Sequence, residues 1–99
     1  MEKMVVLYRQ PEDVEAFEEA YARHIPLVEK VPGLVKATVT RFSRSLEGEN
    51  FYLMAELFFP DKETFKSALR SPEMAAVGQD AHSFAAGLMT ILLGSESGG

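Results

Sequence analysis

The sequence predicts an α+β domain whose strands and helices follow the order βαββαβ. Short apolar runs rich in valine and threonine, typical of strands, alternate with stretches in which apolar residues recur every three or four positions, typical of helices. Prolines and glycines stand at most of the boundaries between these segments. The length of 99 residues leaves room for one domain, which we expect to span residues 1–94, followed by a flexible tail at residues 95–99.

The first strand and the first helix are predicted from residues 4–28. An apolar run at residues 4–9 predicts the strand, and Pro11 suits the first turn of the helix, where its missing N–H would have no helical partner. The inner face of the helix is a stripe of residues spaced three or four apart: Val14, Phe17, Tyr21, His24 and Val28. We expect Pro26 to end this helix, because its ring clashes with the carbonyl of Ala22 at a cost of about 3 kcal/mol.

A β-hairpin is predicted in the middle of the chain. After Pro32 and Gly33, residues 34–44 are rich in valine and threonine and predict its first strand. The polar residues 47–50 suit the turn, and the apolar residues 51–59 predict the second strand. The hairpin therefore joins the two halves of the chain.

The second half repeats the order of a helix followed by a strand. Asp61 is the predicted N-cap of the helix, which Ser71 and Pro72 interrupt and restart as the cap and the first helical residue. Residues 88–93 predict the fourth strand. Right-handed crossovers convert this order into a ferredoxin-like fold, a four-stranded antiparallel sheet with two helices on one face.

The sheet face that the helices leave free is also predicted to be apolar. In residues 51–59 the odd positions are apolar, but the even positions include Tyr52, Met54 and Phe58 as well. The first and last strands are apolar on both faces. We therefore expect a second copy of the chain to cover the free face, giving a homodimer in which two sheets form an α/β barrel.

Composition and motifs exclude several classes of function. The net charge of −5, with many acidic residues gathered in residues 12–19, argues against binding to nucleic acid or to an anionic membrane. The absence of cysteine excludes disulfides and Cys-bound metals and fits a cytoplasmic location. The two histidines form a sparse ligand set, so no metal is predicted. No glycine-rich phosphate loop or dinucleotide fingerprint is present, so no cofactor is predicted.

His24 is the predicted catalytic residue, because it stands on the inward-facing stripe beside the expected end of the helix. An imidazole in an apolar pocket can act as a general acid or base near neutral pH. Tyr21 is predicted to act with it, since it precedes His24 by three residues on the same stripe. The alternative is a core histidine whose nitrogens bond to backbone carbonyls freed at Pro26.

Four more aromatic residues are predicted to contact a substrate. They are Tyr8, Phe17, Tyr52 and Phe84. The tyrosines would present hydroxyl groups and the phenylalanines an apolar wall. Ordinary core packing is the alternative for all four.

Two acidic residues have more than one interpretation. Glu56 is expected to pair with Lys36 across the hairpin, the alternative being a carboxyl with a perturbed pKa inside the barrel. Asp80 stands two residues before His82, which suggests a metal site but supplies too few ligands for one.

Several motifs of the chain resemble those of the EthD family, within the dimeric α/β barrel superfamily. The matching segments are residues 5–8, 11–13, 21–28, 32–34, 52–57 and 71–73, together with Phe84. The His-x-Pro-Leu motif at residues 24–27, followed by Pro-Gly-Leu, is their most specific part. The resemblance covers about residues 4–94. It implies a ferredoxin-like dimer with a small cavity between helices and sheet, near His24.

The resemblance also implies a range of activities. The family takes its name from an ether-degradation operon, is usually classed among oxidoreductases, and includes fungal relatives linked to polyketide dehydration or decarboxylation. We therefore expect a small apolar ligand, aromatic or carbonyl-bearing, and a cofactor-independent oxidoreductase or proton-transfer reaction. The alternatives are a noncatalytic binding or accessory protein of a catabolic pathway, and a purely structural dimer with a filled core.

Overall fold

In the computed structural model, which describes residues 1–98, four strands form one antiparallel sheet with the strand order β2-β3-β1-β4. The elements in chain order are β1 (Glu2–Arg9), α1 (Val14–Glu29), β2 (Lys36–Arg41), β3 (Phe51–Phe59), α2 (Lys62–Leu69), α3 (Pro72–Ala85) and β4 (Met89–Ser95). The predicted ferredoxin-like fold is confirmed, with the second predicted helix divided into α2 and α3. Within residues 1–98 no helix is both long and apolar enough to span a bilayer.

The strand boundaries differ from the predicted ones by a few residues. Strand β3 spans the predicted range, whereas β2 is shorter than predicted at both ends and β1 begins two residues earlier. Strand β4 extends to Ser95, the first residue of the predicted tail, and the Ser95 hydroxyl donates to the Glu2 carboxylate at 2.7 Å. Of the other tail residues, residue 99 lies outside the described part of the chain.

Three side chains cap the helices at their N-termini. Each accepts a hydrogen bond from the amide three residues later: Asp13 from Ala16 at 3.0 Å, Asp61 from Thr64 at 2.8 Å, and Ser71 from Met74 at 3.1 Å. The caps at Asp61 and Ser71 are as predicted. The first helix is capped by Asp13, so Pro11 precedes it and does not occupy its first turn.

The prediction that Pro26 ends the first helix is wrong, because α1 continues to Glu29. Val28, in the last turn of α1, and Val31, just after the helix, are both buried in the core and hold this part of the chain in place. Burying two valines contributes about 1.5–3 kcal/mol each, which offsets the cost of about 3 kcal/mol for a proline inside a helix. Tertiary packing thus outweighs the local preference.

The core between the sheet and the helices has two parts. One part is centred on Phe59 and Phe65, whose rings stack with centroids 4.8 Å apart. The other contains Tyr8, Phe17 and Tyr21, whose rings contact one another edge-to-face or stacked. Both parts contribute side chains to the cavity described below.

The free face of the sheet carries apolar side chains in register across the strands. Pairing places Leu7 opposite Met54, and Val5 opposite Leu92, on the face away from the buried Tyr8. Half of the Leu92 side chain is exposed in the single chain. The free face is therefore apolar around Leu7, Met54 and Leu92 but not throughout, because Val5 also stands opposite Glu56, and Leu7 opposite Thr90.

The predicted pairing of Glu56 with Lys36 is wrong. The Glu56 carboxylate accepts from the Lys3 ammonium at 2.7 Å, and the Lys36 ammonium lies 4.8 Å from the centroid of the Phe58 ring. Both lysines stand opposite Phe58, one on each side of the central strand β3. The prediction considered only Lys36 on the hairpin strand β2 and not Lys3 on β1, the other neighbour of β3.

Candidate functional site

A cavity of about 720 Å³ lies between the sheet and helices α1 and α3. This volume is in the range of about 300–1,000 Å³ in which proteins bind small organic molecules. Its walls are mostly apolar and include Val6, Val28, Ala55, Leu57, Val77 and Ala81. Partly exposed side chains of both edge strands, Val39 on β2 and Ile91 on β4, also line the cavity. It is therefore accessible from the surface of the single chain.

His24, which lines the cavity, forms a hydrogen bond with Asp80, which is not itself part of the lining. His24 Nδ1 lies 2.8 Å from Asp80 Oδ2, and this bond joins α1 to α3. The His24 side chain is almost fully buried, whereas about a third of the Asp80 side chain is exposed. A carboxylate can only accept, so we assign the hydrogen to Nδ1, which donates to Asp80.

The other ring nitrogen of His24, Nε2, has no hydrogen-bond partner among residues 1–98. No fully buried side-chain nitrogen or oxygen of these residues lacks a partner, so Nε2 keeps some accessible surface. Since His24 lines the cavity, we infer that this surface is open to the cavity. With the hydrogen on Nδ1, Nε2 carries a free lone pair and can accept a proton.

The sequence prediction placed His24 on an inward face but missed its partner. The alternative prediction, bonds to carbonyls freed at Pro26, is contradicted because Asp80 is the partner. The sequence feature that could have identified Asp80 is its spacing: it stands three residues after Val77 and four before Phe84, which places it on the inner stripe of α3. His82 instead bonds through Nδ1 to the Gly78 carbonyl of its own helix at 2.8 Å.

Two of the predicted tyrosines lie beside this pair. Tyr8 and Tyr21 line the cavity, their side chains are 2% and 3% exposed, and their ring centroids are 5.8 Å apart. The Tyr21 and His24 ring centroids are 5.6 Å apart. Burial raises the pKa of Tyr21 to about 12. Burial also raises the pKa of Tyr8, with smaller contributions from Tyr21 and Asp80.

The remaining three predicted contacts do not line the large cavity. Phe17 and Phe84 border a second cavity of about 410 Å³, next to the start of α1. Phe84 also packs against the His24 ring, with centroids 5.5 Å apart. Tyr52 contacts Phe17 edge-to-face and donates its hydroxyl hydrogen to Glu18.

Glu18, Arg41 and Tyr52 form a cluster that the sequence prediction missed. Arg41 donates from Nε and Nη2 to the two Glu18 carboxylate oxygens at 2.9 and 2.7 Å, and the Tyr52 hydroxyl donates to the same carboxylate. The bond from Arg41, followed by that from Tyr52, lowers the pKa of Glu18 below its usual range. The cluster ties α1 to β2 and β3 outside the large cavity.

No group of three or more histidine, aspartate or glutamate side chains within residues 1–98 is arranged to hold a metal ion. Among the buried residues that line the cavity, the polar side chains are instead one imidazole, His24, and two phenols, Tyr8 and Tyr21. This set can accept one proton and donate two hydrogen bonds.

Comparison with protein-family models matches residues 9–87 to the EthD domain. A protein of Rhodococcus erythropolis, described as an uncharacterized 11.0 kDa protein in the thcB-thcC intergenic region, is 34% identical over 99 residues, covering 97% of this chain and 95% of the relative. The crystal structure of an EthD family protein from Bacillus halodurans matches with a TM-score of 0.91 and 45% identity, covering 98% of this chain and 99% of that chain.

Two more distant solved structures share the architecture. A dimeric ferredoxin-like protein of unknown function from Thermobifida fusca has a TM-score of 0.71 and 12% identity, covering 96% of this chain and 90% of that chain. SnoaB, a cofactor-independent oxygenase from Streptomyces nogalater, has a TM-score of 0.63 and 20% identity, covering 99% of this chain and 94% of that chain. At these identities the likeness shows the ferredoxin-like fold alone.

Proposed function

Since this chain belongs to the EthD family, and since its cavity contains a buried histidine bonded to a carboxylate, we propose that it binds a small, largely apolar molecule and that His24 transfers a proton to or from it. The observation that carries the proposal is the His24–Asp80 pair. A histidine that only joined α1 to α3 would need the carboxylate as a partner, but it would not need a second nitrogen left without one beside a cavity. Tyr21, beside His24, would orient the molecule.

The proposed chemistry is general base catalysis. Nε2 takes a proton from the bound molecule, and Asp80 stabilises the imidazolium that forms while holding the ring in one orientation. The mostly apolar walls lower the local dielectric constant, which strengthens electrostatic interactions inside the cavity. The step requires only the histidine, its partner and the bound molecule, so the proposal includes no cofactor.

Exchange of an acidic C–H hydrogen tests this proposal without knowledge of the natural substrate. The probe is 2-tetralone, an apolar ketone, incubated with the protein in D₂O while NMR follows the loss of its α-hydrogens. We expect exchange faster than with buffer alone, and a rate acceleration about 100-fold smaller with His24→Gln, since a general base typically contributes 10²–10⁴. Asp80→Asn should retain binding and show an intermediate rate.

Folding and the second histidine are the controls for this experiment. Each variant is compared with the wild type by circular dichroism and thermal unfolding, because His24 is buried. The matched substitution His82→Gln tests whether a histidine nearer the surface causes the exchange. Loss of exchange in His82→Gln with full activity in His24→Gln would contradict the proposal.

The second candidate function is a noncatalytic protein that holds or delivers a metabolite. The observation that favours it is the cavity itself, which is large and apolar and would suit binding without chemistry. Saturable binding of 2-tetralone, measured by calorimetry, with no exchange above buffer would support this candidate and exclude catalysis by His24 on such ketones.

We also propose that the protein is a homodimer, located in the cytoplasm, whose two sheets pack through their free faces. The support is the row of apolar side chains on this face, which a single chain leaves partly exposed, and the description of the Thermobifida fusca protein as dimeric. The absence of cysteine fits a reducing compartment.

Replacing Leu7 with glutamate is expected to dissociate this dimer. Leu7 lies on the free face beside Met54, so a charge there would be buried without a partner in the interface. Light scattering coupled to size exclusion should report a dimer for the wild type and a monomer for Leu7→Glu. The control Leu46→Glu, at an 87% exposed position outside the sheet, should remain dimeric. A wild type that is monomeric across the micromolar range would refute the dimer.

A further inference from the structure

We infer that the hydroxyls of Tyr8 and Tyr21 bind one oxygen of the substrate and stabilise negative charge on it, while His24 Nε2 removes the proton. This assigns the substrate to a chemical class: an apolar molecule with a carbonyl group next to an acidic C–H bond, or with a phenolic O–H group. The inference rests on the proposed function of His24 and specifies its substrate.

The two hydroxyls have no hydrogen-bond partner among residues 1–98, although both side chains are more than nine-tenths buried. A fully enclosed hydroxyl without a partner would cost about 1–3 kcal/mol, and no such atom occurs within these residues. Both hydroxyls therefore keep some accessible surface, and since Tyr8 and Tyr21 line the cavity, we place that surface in the cavity. They are donors available to a bound molecule.

The two tyrosines stand next to the proposed base. Their rings meet edge-to-face, with an interplanar angle of 80°, and Tyr21 is the ring neighbour of His24. Besides burial, Tyr21 and Asp80 contribute to the raised pKa of Tyr8, while Arg41 and Glu18 act in opposite directions on the pKa of Tyr21. The ring contacts and the shared cavity lining bring Tyr8 from β1 together with Tyr21 and His24 from α1.

Both tyrosines remain protonated at neutral pH, because burial raises the pKa of each. A protonated hydroxyl in an apolar site donates to an oxygen that gains negative charge, and removing one such donor typically lowers a rate by 10²–10³. The other titratable groups that line the cavity are Glu29 on α1, Lys36 on β2 and His82 on α3. Glu29, Lys36 and His82 are exposed, whereas the two tyrosines are buried.

The proposed step balances without an oxidant or a reductant. The C–H or O–H bond of the substrate breaks, and its proton binds to His24 Nε2. In a ketone the C–H electron pair forms the C=C bond of an enolate while the carbonyl π pair moves onto the oxygen, and in a phenol the O–H pair stays on the oxygen. Either oxyanion accepts hydrogen bonds from Tyr8 and Tyr21. The new imidazolium charge is compensated by Asp80 on one side and by the substrate oxyanion on the other.

Absorption spectroscopy of bound 4-nitrophenol tests this assignment, because the phenolate of this probe absorbs at a longer wavelength than the phenol. The probe is titrated with wild type, Tyr8→Phe, Tyr21→Phe and His24→Gln at one pH. We expect a larger phenolate fraction on the wild type than in buffer, and a phenolate-to-phenol ratio about tenfold lower or more in each tyrosine variant. Tyr52→Phe is the matched control, since its hydroxyl bonds to Glu18 outside the cavity.

The outcomes separate this inference from the proposed function. Bound probe with the same phenolate fraction in wild type and tyrosine variants would overturn the inference and leave proton transfer by His24 intact. A phenolate fraction that falls only in His24→Gln would also overturn the role of the tyrosines. If no saturable binding occurs, the proposed ligand-binding function fails, and the inference with it. The tyrosine-to-phenylalanine changes keep the rings, so each fold is verified by circular dichroism.

Discussion

Replacing Phe59 with alanine is expected to lower the free energy of unfolding by about 3–5 kcal/mol. The Phe59 side chain is 0% exposed and stacks on Phe65, with ring centroids 4.8 Å apart. Its removal leaves a cavity at the point where the end of β3 packs on α2, and rigid neighbours close such a cavity only in part. A loss of this size is a large share of the stability of a small domain.

Urea denaturation followed by circular dichroism measures this loss. All proteins are compared at one concentration, because a dimer unfolds in a concentration-dependent way. Leu46→Ala is the control, since its side chain is 87% exposed and should change the free energy of unfolding by no more than about 0.5 kcal/mol. A loss below about 1 kcal/mol for Phe59→Ala would show that this part of the core is not packed as described.

Replacing Gly33 with alanine is expected to cost about 2–4 kcal/mol of unfolding free energy. Gly33 has a φ of +78°, where an L-residue with a Cβ is strained by about 1–2 kcal/mol. A Cβ at this position would also lie 2.2 Å from Thr64 Cγ2, at the start of α2. Relieving that overlap requires Thr64 to change its rotamer, or the loop or the helix to shift, and such overpacking typically costs about 1–3 kcal/mol.

Two variants separate the backbone strain from the overlap with Thr64. Gly48→Ala has nearly the same φ, +83°, but its Cβ would meet nothing within 4 Å, so it should show the strain alone, about 1–2 kcal/mol. Thr64→Ser removes Cγ2 and, combined with Gly33→Ala, should recover the part of the loss that the overlap causes. Equal losses for Gly33→Ala and Gly48→Ala in urea denaturation would refute the close packing of Gly33 on α2.

The candidate site could be predicted in part from local spacing. The stripe that contains Tyr21 and His24 correctly places both side chains inside, because helical periodicity depends only on neighbours along the chain. Tyr8 lines the large cavity, whereas Phe17, Phe84 and Tyr52 lie outside its lining, and contact of any of the four with a substrate stays a prediction. The aromatic character of these three residues does not by itself show whether a side chain packs in the core or lines a cavity.

The element order, the Asp61 and Ser71 caps, and the inward face of His24 could be predicted from the sequence alone. These features depend on interactions within a few residues, such as a side chain accepting from an amide three positions later. The same local rules were misleading at Pro26, where the buried Val28 and Val31 keep α1 continuous.

Which side chains meet across the fold could be seen only in the tertiary structure. Asp80 is 56 residues from His24, and Lys3 is 53 residues from Glu56. Such pairs form because the strand order places β1 between β3 and β4, and because α1 and α3 pack side by side on the sheet. Several carboxylates and cations satisfy local preferences equally well, so their partners follow from the packing of distant elements, which no short segment of the sequence specifies.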